Sequence, residues 1–435
     1  MPNARPRQTR VNPQLSESAL LARVRRRLIP FMFLLYIVSY LDRINIGFAA
    51  LQMNRDLGLS PAVYGFGAGI FFIGYFLFEV PSNLIMERVG ARVWIARIMI
   101  TWGIISAAMM FVRGPASFYA LRFLLGLAEA GFFPGMILYL TYWFPSRERA
   151  RAISLFMTAV ALAGVVGGPV SGALLTMTGV GGLAGWQWLF LLEGLPAVLL
   201  GIVVLLYLPN GPADARWLTP AERTFLLEHV RAEAERGEGS HGTVRAAFAS
   251  GRIWLFSLSY FGIVSALYGI SFWLPTILQG LSGLPDLTIG VLSALPYVVA
   301  AVGMVFVGRH SDSTGERRWH VAGSAFIGAA GFLLSAVTRS PAPALAAISI
   351  AAFGIFAAMP PFWAMPTAML RGAGAAAGIA LINSIGNLGG FLGPYGIGLI
   401  RNATQSFAGA LAALAASLVV GGLLALAAPS NRTTS

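Results

Sequence analysis

Cysteine and lysine are both absent from this 435-residue chain. Without cysteine there is no disulfide and no thiolate metal site. Without lysine, every fixed positive charge is a guanidinium, which grips a carboxylate in a two-pronged fork that an ammonium cannot reproduce. Histidine is scarce. The four residues, His229, His241, His310 and His320, fall in expected loops or helix ends, so no histidine acid–base or metal centre is expected in the apolar interior. Charge itself is scarce: 11% of residues are charged and 57% are hydrophobic, where soluble domains carry about 25% charged residues. A soluble globular fold is excluded, and the chain reads as an all-α integral membrane protein.

Crossing a bilayer takes about 20 apolar residues. Such runs predict twelve spans, near 28–53, 62–85, 93–112, 116–139, 152–178 and 186–208, then 252–279, 287–308, 320–338, 343–366, 375–400 and 406–427. The first is too long and too charged for a cleaved signal, and it lacks a small-residue cleavage site. One long polar connection, 209–250, divides the spans into two sets of six. Within it, Thr219, Pro220 and Glu222 form a helix-start signature. The expected organisation is a tail (1–27), a six-helix bundle (28–208), a linker with a short helix (209–250), a second bundle (251–428) and a tail (429–435).

The net charge of +13 suggests nucleic acid until its distribution is followed. Arginines crowd the N-terminus and every second connection: Arg88 and Arg92; Arg147, Arg149 and Arg151; the linker; Arg309, Arg317 and Arg318; Arg371. The alternate connections carry single arginines. This is the positive-inside pattern, which puts both termini in the cytoplasm and gives no role to nucleic acid.

The two halves repeat. Glu87, Gly90 and Arg92 follow the second span, with Arg88 among them. Asp312, Gly315 and Arg317 follow the eighth, each 225 residues later. Gly164, Gly168 and Pro169 in the fifth span are matched at the same offset by Gly389, Gly393 and Pro394 in the eleventh. Two copies of a six-helix unit imply a pseudo-two-fold axis along the membrane normal, with a substrate site between the halves near the midplane. The repeated loops read either as gating latches or as plain topological anchors.

Ionisable groups inside a bilayer cost roughly 3 kcal/mol each on insertion scales and are functional hypotheses by default. The deep ones are Asp42 and Arg43 in the first span, and Arg122 and Glu129 in the fourth, where a spacing of seven puts both on one helix face. The second half has none; it offers Tyr268, Trp273, Tyr297, Trp363, Asn383, Ser384 and Asn387. Arg43 or Arg122 can bind a substrate carboxylate. Asp42 and Glu129 can carry protons, because burial favours a protonated carboxyl and a nearby guanidinium an ionised one. The competing reading is two structural ion pairs, Asp42–Arg43 and Arg122–Glu129. Glu79 and Glu193 read as packing or gating groups.

The two loop motifs resemble the signature of the major facilitator superfamily and its echo, with Asn83 where glycine is usual and Glu87 replacing aspartate. Further stretches resemble its anion:cation symporter family of organic-acid permeases: "YLDRINIG" (40–47), "FFIGYFLFEVPSNL" (71–84), "RFLLGLAEAGFFPGMILYLTYWFPSRERARA" (122–152), "WQWLFLLEGLPA" (186–197), "WLTPAER" (217–223), "GISFWLPTIL" (269–278) and "LINSIGNLGGFLGP" (381–394). The resemblance implies twelve transmembrane helices in the major facilitator fold. It also implies that Asp42 and Glu129 couple protons and that Arg43 and Arg122 serve the anion, with Tyr40, Tyr75, Trp363 and Asn383 lining the substrate. A partial match to a drug-antiporter motif (Gly164, Gly168, Pro169, Gly172) is broken by Ala173, and helix packing accounts for it.

The function expected is proton-coupled symport of a small organic anion, a hydroxy or sugar acid such as tartrate, an aldonate or an aldarate. An anion exchanger or drug/proton antiporter is the alternative, and a transporter-like receptor a remote one. No enzyme activity, metal or cofactor is expected beyond the coupling proton. The expected setting is a monomer in the inner membrane.

Overall fold

The structure, a computed structural model, describes the backbone of residues 13–144, 146–237, 248–369 and 373–428. Side chains are described at 17–144, 158–228, 248–369 and 378–428, which leaves Arg147, Arg149, Arg151 and Arg371 outside. Among the described residues there are fourteen α-helices and no strand. The first bundle holds α1 (Pro13–Asp56), α2 (Pro61–Val89), α3 (Ala91–Ala108), α4 (Pro115–Glu129), α5 (Phe132–Thr141), α6 (Ser146–Leu175) and α7 (Gly185–Tyr207). Next come the linker helix α8 (Pro220–Gly237) and the second bundle: α9 (Gly251–Ser282), α10 (Asp286–Thr314), α11 (Arg318–Val337), α12 (Pro341–Met369), α13 (Ala373–Thr404) and α14 (Ala408–Ala427).

Eleven of the twelve expected spans are long and apolar enough to cross a membrane. The eleventh expected span, α13, is a full-length helix whose hydropathy is lowered by Asn383, Ser384, Asn387 and a run of glycines. Two elements differ from expectation. Helix α1 begins at Pro13 rather than near 28, so part of the N-terminal segment is helical. The fourth span is broken: α4 stops at Glu129, Gly131 takes a left-handed φ of 83°, and α5 restarts at Phe132. The burial pattern is that of a membrane protein. Leu206, Val337 and Phe306 project outward, while Asp42, Arg122 and Glu129 are at most 2% exposed.

The linker helix starts as its sequence predicts. The Thr219 N–H donates to Glu222 Oε2 (2.9 Å), and Glu222 N–H donates to Thr219 Oγ1 (3.3 Å). The bond from the Thr219 N–H is the main cause holding the Glu222 carboxyl below its usual range. Glu222 also ion-pairs with Arg23 of α1, tying the linker to the chain's start.

Two seams join the bundles on the face opposite that where α1 begins. One lies between α2 and α13, the other between α6 and α10. Both depend on glycine. A Cβ at Gly290 would stand 2.3 Å from the Gly168 carbonyl oxygen, and one at Gly65 2.6 Å from that of Pro394. Gly65 and Gly290 are themselves 225 apart, so each occupies the same place in its repeat. We expect Gly65→Leu to force this face open. A reporter cysteine replacing Ala294, on the other seam, should then react several-fold faster with a membrane-impermeant thiol reagent; an unchanged rate would mean the seams do not part together.

Candidate functional site

At mid-membrane α1, α2, α4 and α9 converge on the two arginines. Neither of the expected ion pairs, Asp42–Arg43 and Arg122–Glu129, forms. Neighbouring residues on a helix do not face one another, and Asp42 and Arg43 turn to different partners. Arg43 Nη2 ion-pairs with Glu129 across to α4, and Ser39 Oγ donates to the same Glu129 oxygen at 2.8 Å. Arg43 Nη1 donates to the Tyr268 hydroxyl of the second bundle at 2.9 Å. Those two residues are 225 apart: the repeat's symmetry mates meet at the axis, one charged and one neutral.

Arg122 lies about two helical turns before Glu129, a rise of roughly 10 Å, and does not reach it. Its Nη2 instead donates to the Ala68 carbonyl of α2 at 2.9 Å, and its Nε has no partner. The guanidinium lies 5.1 Å from the centre of the Phe71 ring and 5.9 Å from that of Phe272. Among the described residues no carboxylate pairs with it, although it is 1% exposed. A buried, uncompensated cation is costly unless something else supplies the negative charge.

Asp42 faces the opposite way, into its own bundle. It accepts from Trp102 Nε1 (2.7 Å) and Ser106 Oγ (2.8 Å) of α3, and from Asn45 Nδ2 (3.3 Å). Tyr40 and Tyr75 border Arg43, whose guanidinium is 6.0 Å and 5.5 Å from their rings. The buried Tyr40 hydroxyl has no partner. Trp363 stands further off, edge-on to Tyr260 at 4.9 Å. Asn383 Nδ2 donates to Glu79 Oε1 (2.7 Å) and Ser384 Oγ to Glu79 Oε2 (3.1 Å), so Glu79 links α2 to α13 across the bundles. Sequence reasoning named Glu79 and Asn383 separately, and nothing in their spacing joins them.

The loop motifs diverge in detail. Asp312 and Arg317 pair at 2.7 Å around Gly315, whose φ is 68°. Gly90 has φ of 97°, and the Arg92 N–H donates to Asn210. Glu87 and Arg88 form no ion pair among the described residues. A concavity of about 800 Å³ lined by Val302, Val305, Phe306, Arg309 and His310 lies on the outer side of α10, away from these charges.

Two helix bundles related by an internal repeat, with a charge cluster enclosed at their junction, define a membrane transporter. The family model described as the Major Facilitator Superfamily matches residues 32–394, and the chain belongs to that superfamily. A protein of Agrobacterium vitis named as a tartrate transporter is 53% identical over 420 residues, covering 95% of this chain and 96% of that one. A quinolone resistance transporter of Acinetobacter baumannii is 44% identical over 409 residues, covering 94% of each. The xylose transporter XylE from E. coli, in a partially occluded inward-open conformation, shares the fold with a TM-score of 0.73 at 14% identity, over 94% of this chain and 99% of that one.

Proposed function

We propose that the protein is a proton-coupled symporter of a small organic anion, acting in the inner membrane with both termini cytoplasmic. The observation that carries this reading is the buried Arg122 without a carboxylate partner, beside an Arg43–Glu129 pair. Arg122 receives the substrate carboxylate between the faces of Phe71 and Phe272. Protonation of Glu129 removes the charge that holds Arg43, which frees a second guanidinium for the anion. Tyr268, Tyr40 and, once released from Glu79, Asn383 offer partners for substrate hydroxyls. The relative named as a tartrate transporter supports a hydroxy acid as the substrate class.

The test is uptake by proteoliposomes under an inward proton gradient, with tartrate, galactonate, glucarate, phthalate and hydroxyphenylacetate offered in turn. Gradient-driven accumulation of one acid, collapsed by a protonophore, supports symport. Exchange without accumulation would leave an anion exchanger. Proton-driven extrusion of a quinolone, the compound class in the name of the Acinetobacter relative, would establish antiport. Asp42→Asn is expected to abolish uphill uptake and spare exchange; uphill accumulation by that variant would remove Asp42 from the coupling.

A further inference from the structure

Helix α7 contributes a further buried acid. Glu193 is 7% exposed. Its Oε1 accepts from Ser171 Oγ of α6 at 2.7 Å, and its Oε2 has no hydrogen-bond partner. Next to it, Gly194 presses against α3, where a Cβ would stand 2.8 Å from the Gly103 carbonyl oxygen, so the acid is walled in by protein rather than lipid. The groups around it are few. From α1 come Asp42 and Asn45, whose amide donates to Asp42 and also faces Glu193. From α3 come the neutral donors Trp102 and Ser106, both bonded to Asp42. From α6 comes Ser171. Arg122 and Glu129 of α4 act on Asp42 from its other side. Among the described residues neither Asp42 nor Glu193 has an ion pair.

A buried carboxylate needs a cation or a full set of donors. Asp42 has three donors. Glu193 has one, and one of its oxygens is bare. Two neighbouring carboxyls with no ion-paired cation resist ionising together and titrate as a unit. We infer that Glu193 and Asp42 form a proton-binding pair inside the first bundle, bridged by Asn45, with the proton carried on the bare Glu193 Oε2. On loading, one proton from water forms one O–H bond at Oε2, and the charge of the pair goes from minus two to minus one. The pair is separate from the Arg43–Glu129 ion pair. The inference rests on the proton-coupled reading, and it gives the carrier a second proton store that touches no substrate.

Infrared difference spectroscopy of the full-length protein in lipid tests this without any substrate. The wild type should show a protonated-carboxyl C=O band at neutral pH. Glu193→Gln, which keeps the Ser171 bond, should lose one component of that band and move the titration midpoint of the remainder. Ser171→Ala should shift the frequency of the same component, and it serves if the first variant folds poorly. A band unchanged in both variants overturns the inference. Uphill uptake is measured in parallel. Failure of the wild type to accumulate any acid would count against the symport reading, while the spectra still decide the role of Glu193.

Discussion

Replacing Arg122 by glutamine is expected to weaken anion binding by about 10- to 150-fold, the factor that corresponds to a charge-assisted hydrogen bond of roughly 1.5–3 kcal/mol. The unliganded protein should be as stable as the wild type or more so. Arg122 donates to a backbone carbonyl and stacks between Phe71 and Phe272, but among the described residues no acid forms an ion pair with it. Its removal therefore relieves a desolvation cost rather than breaking a pair. Arg122→Lys keeps the charge and loses the fork, and should recover only part of the affinity. The two readouts are calorimetric binding and the melting temperature without ligand. A large loss of unliganded stability would make Arg122 a structural residue and undo its assignment to the anion.

Glu129→Gln should behave in the opposite way. It strands the Arg43 guanidinium, whose carboxylate partner is gone, in a buried site. Removing one partner of a buried pair typically costs about 3–5 kcal/mol, so the unliganded variant should melt earlier. The freed Arg43 then accepts substrate at any pH. Binding is expected to lose its pH dependence, and added anion should restore the lost thermal stability. Exchange should continue while gradient-driven accumulation stops, because no proton is taken up at this position. Counterflow and uphill uptake measured on the same vesicles check this; uphill accumulation at the wild-type level would sink the role of Glu129.

Much of this site was legible in the sequence because charge is so rare within the apolar runs. Asp42, Arg43, Arg122 and Glu129 stand out against hydrocarbon-like neighbours, and all four are buried as expected. Who pairs with whom was not legible. The spacing of seven places Arg122 and Glu129 on one face, but their bonds go to other helices, Arg122 to α2 and Glu129 to α1. The break in the fourth span had a local signal, Gly131 followed by Pro134, that hydropathy alone passes over. The contact of Glu79 with Asn383 joins residues 304 apart, a separation at which no periodicity helps. The repeat offset of 225 carried further: derived from loop and glycine motifs, it also fixes that Arg43 and Tyr268 occupy equivalent places, and they are bonded to each other.

The glycine seams bear on how readily such a machine turns over. Where side chains interlock like gear teeth, two bodies part only after each tooth has cleared its socket and found a new rotamer. At Gly65 against Pro394, and at Gly290 against Gly168, smooth main chain lies on smooth main chain. Nothing has to unmesh there. At those points separation gives up only weak C–H···O contacts and dispersion, while beside Gly65 the Phe66 ring still has to leave Phe391 and Tyr395. The glycine contacts thus act as low-friction bearings within each seam: close enough to help seal the far face, plain enough to add little to the barrier against opening it.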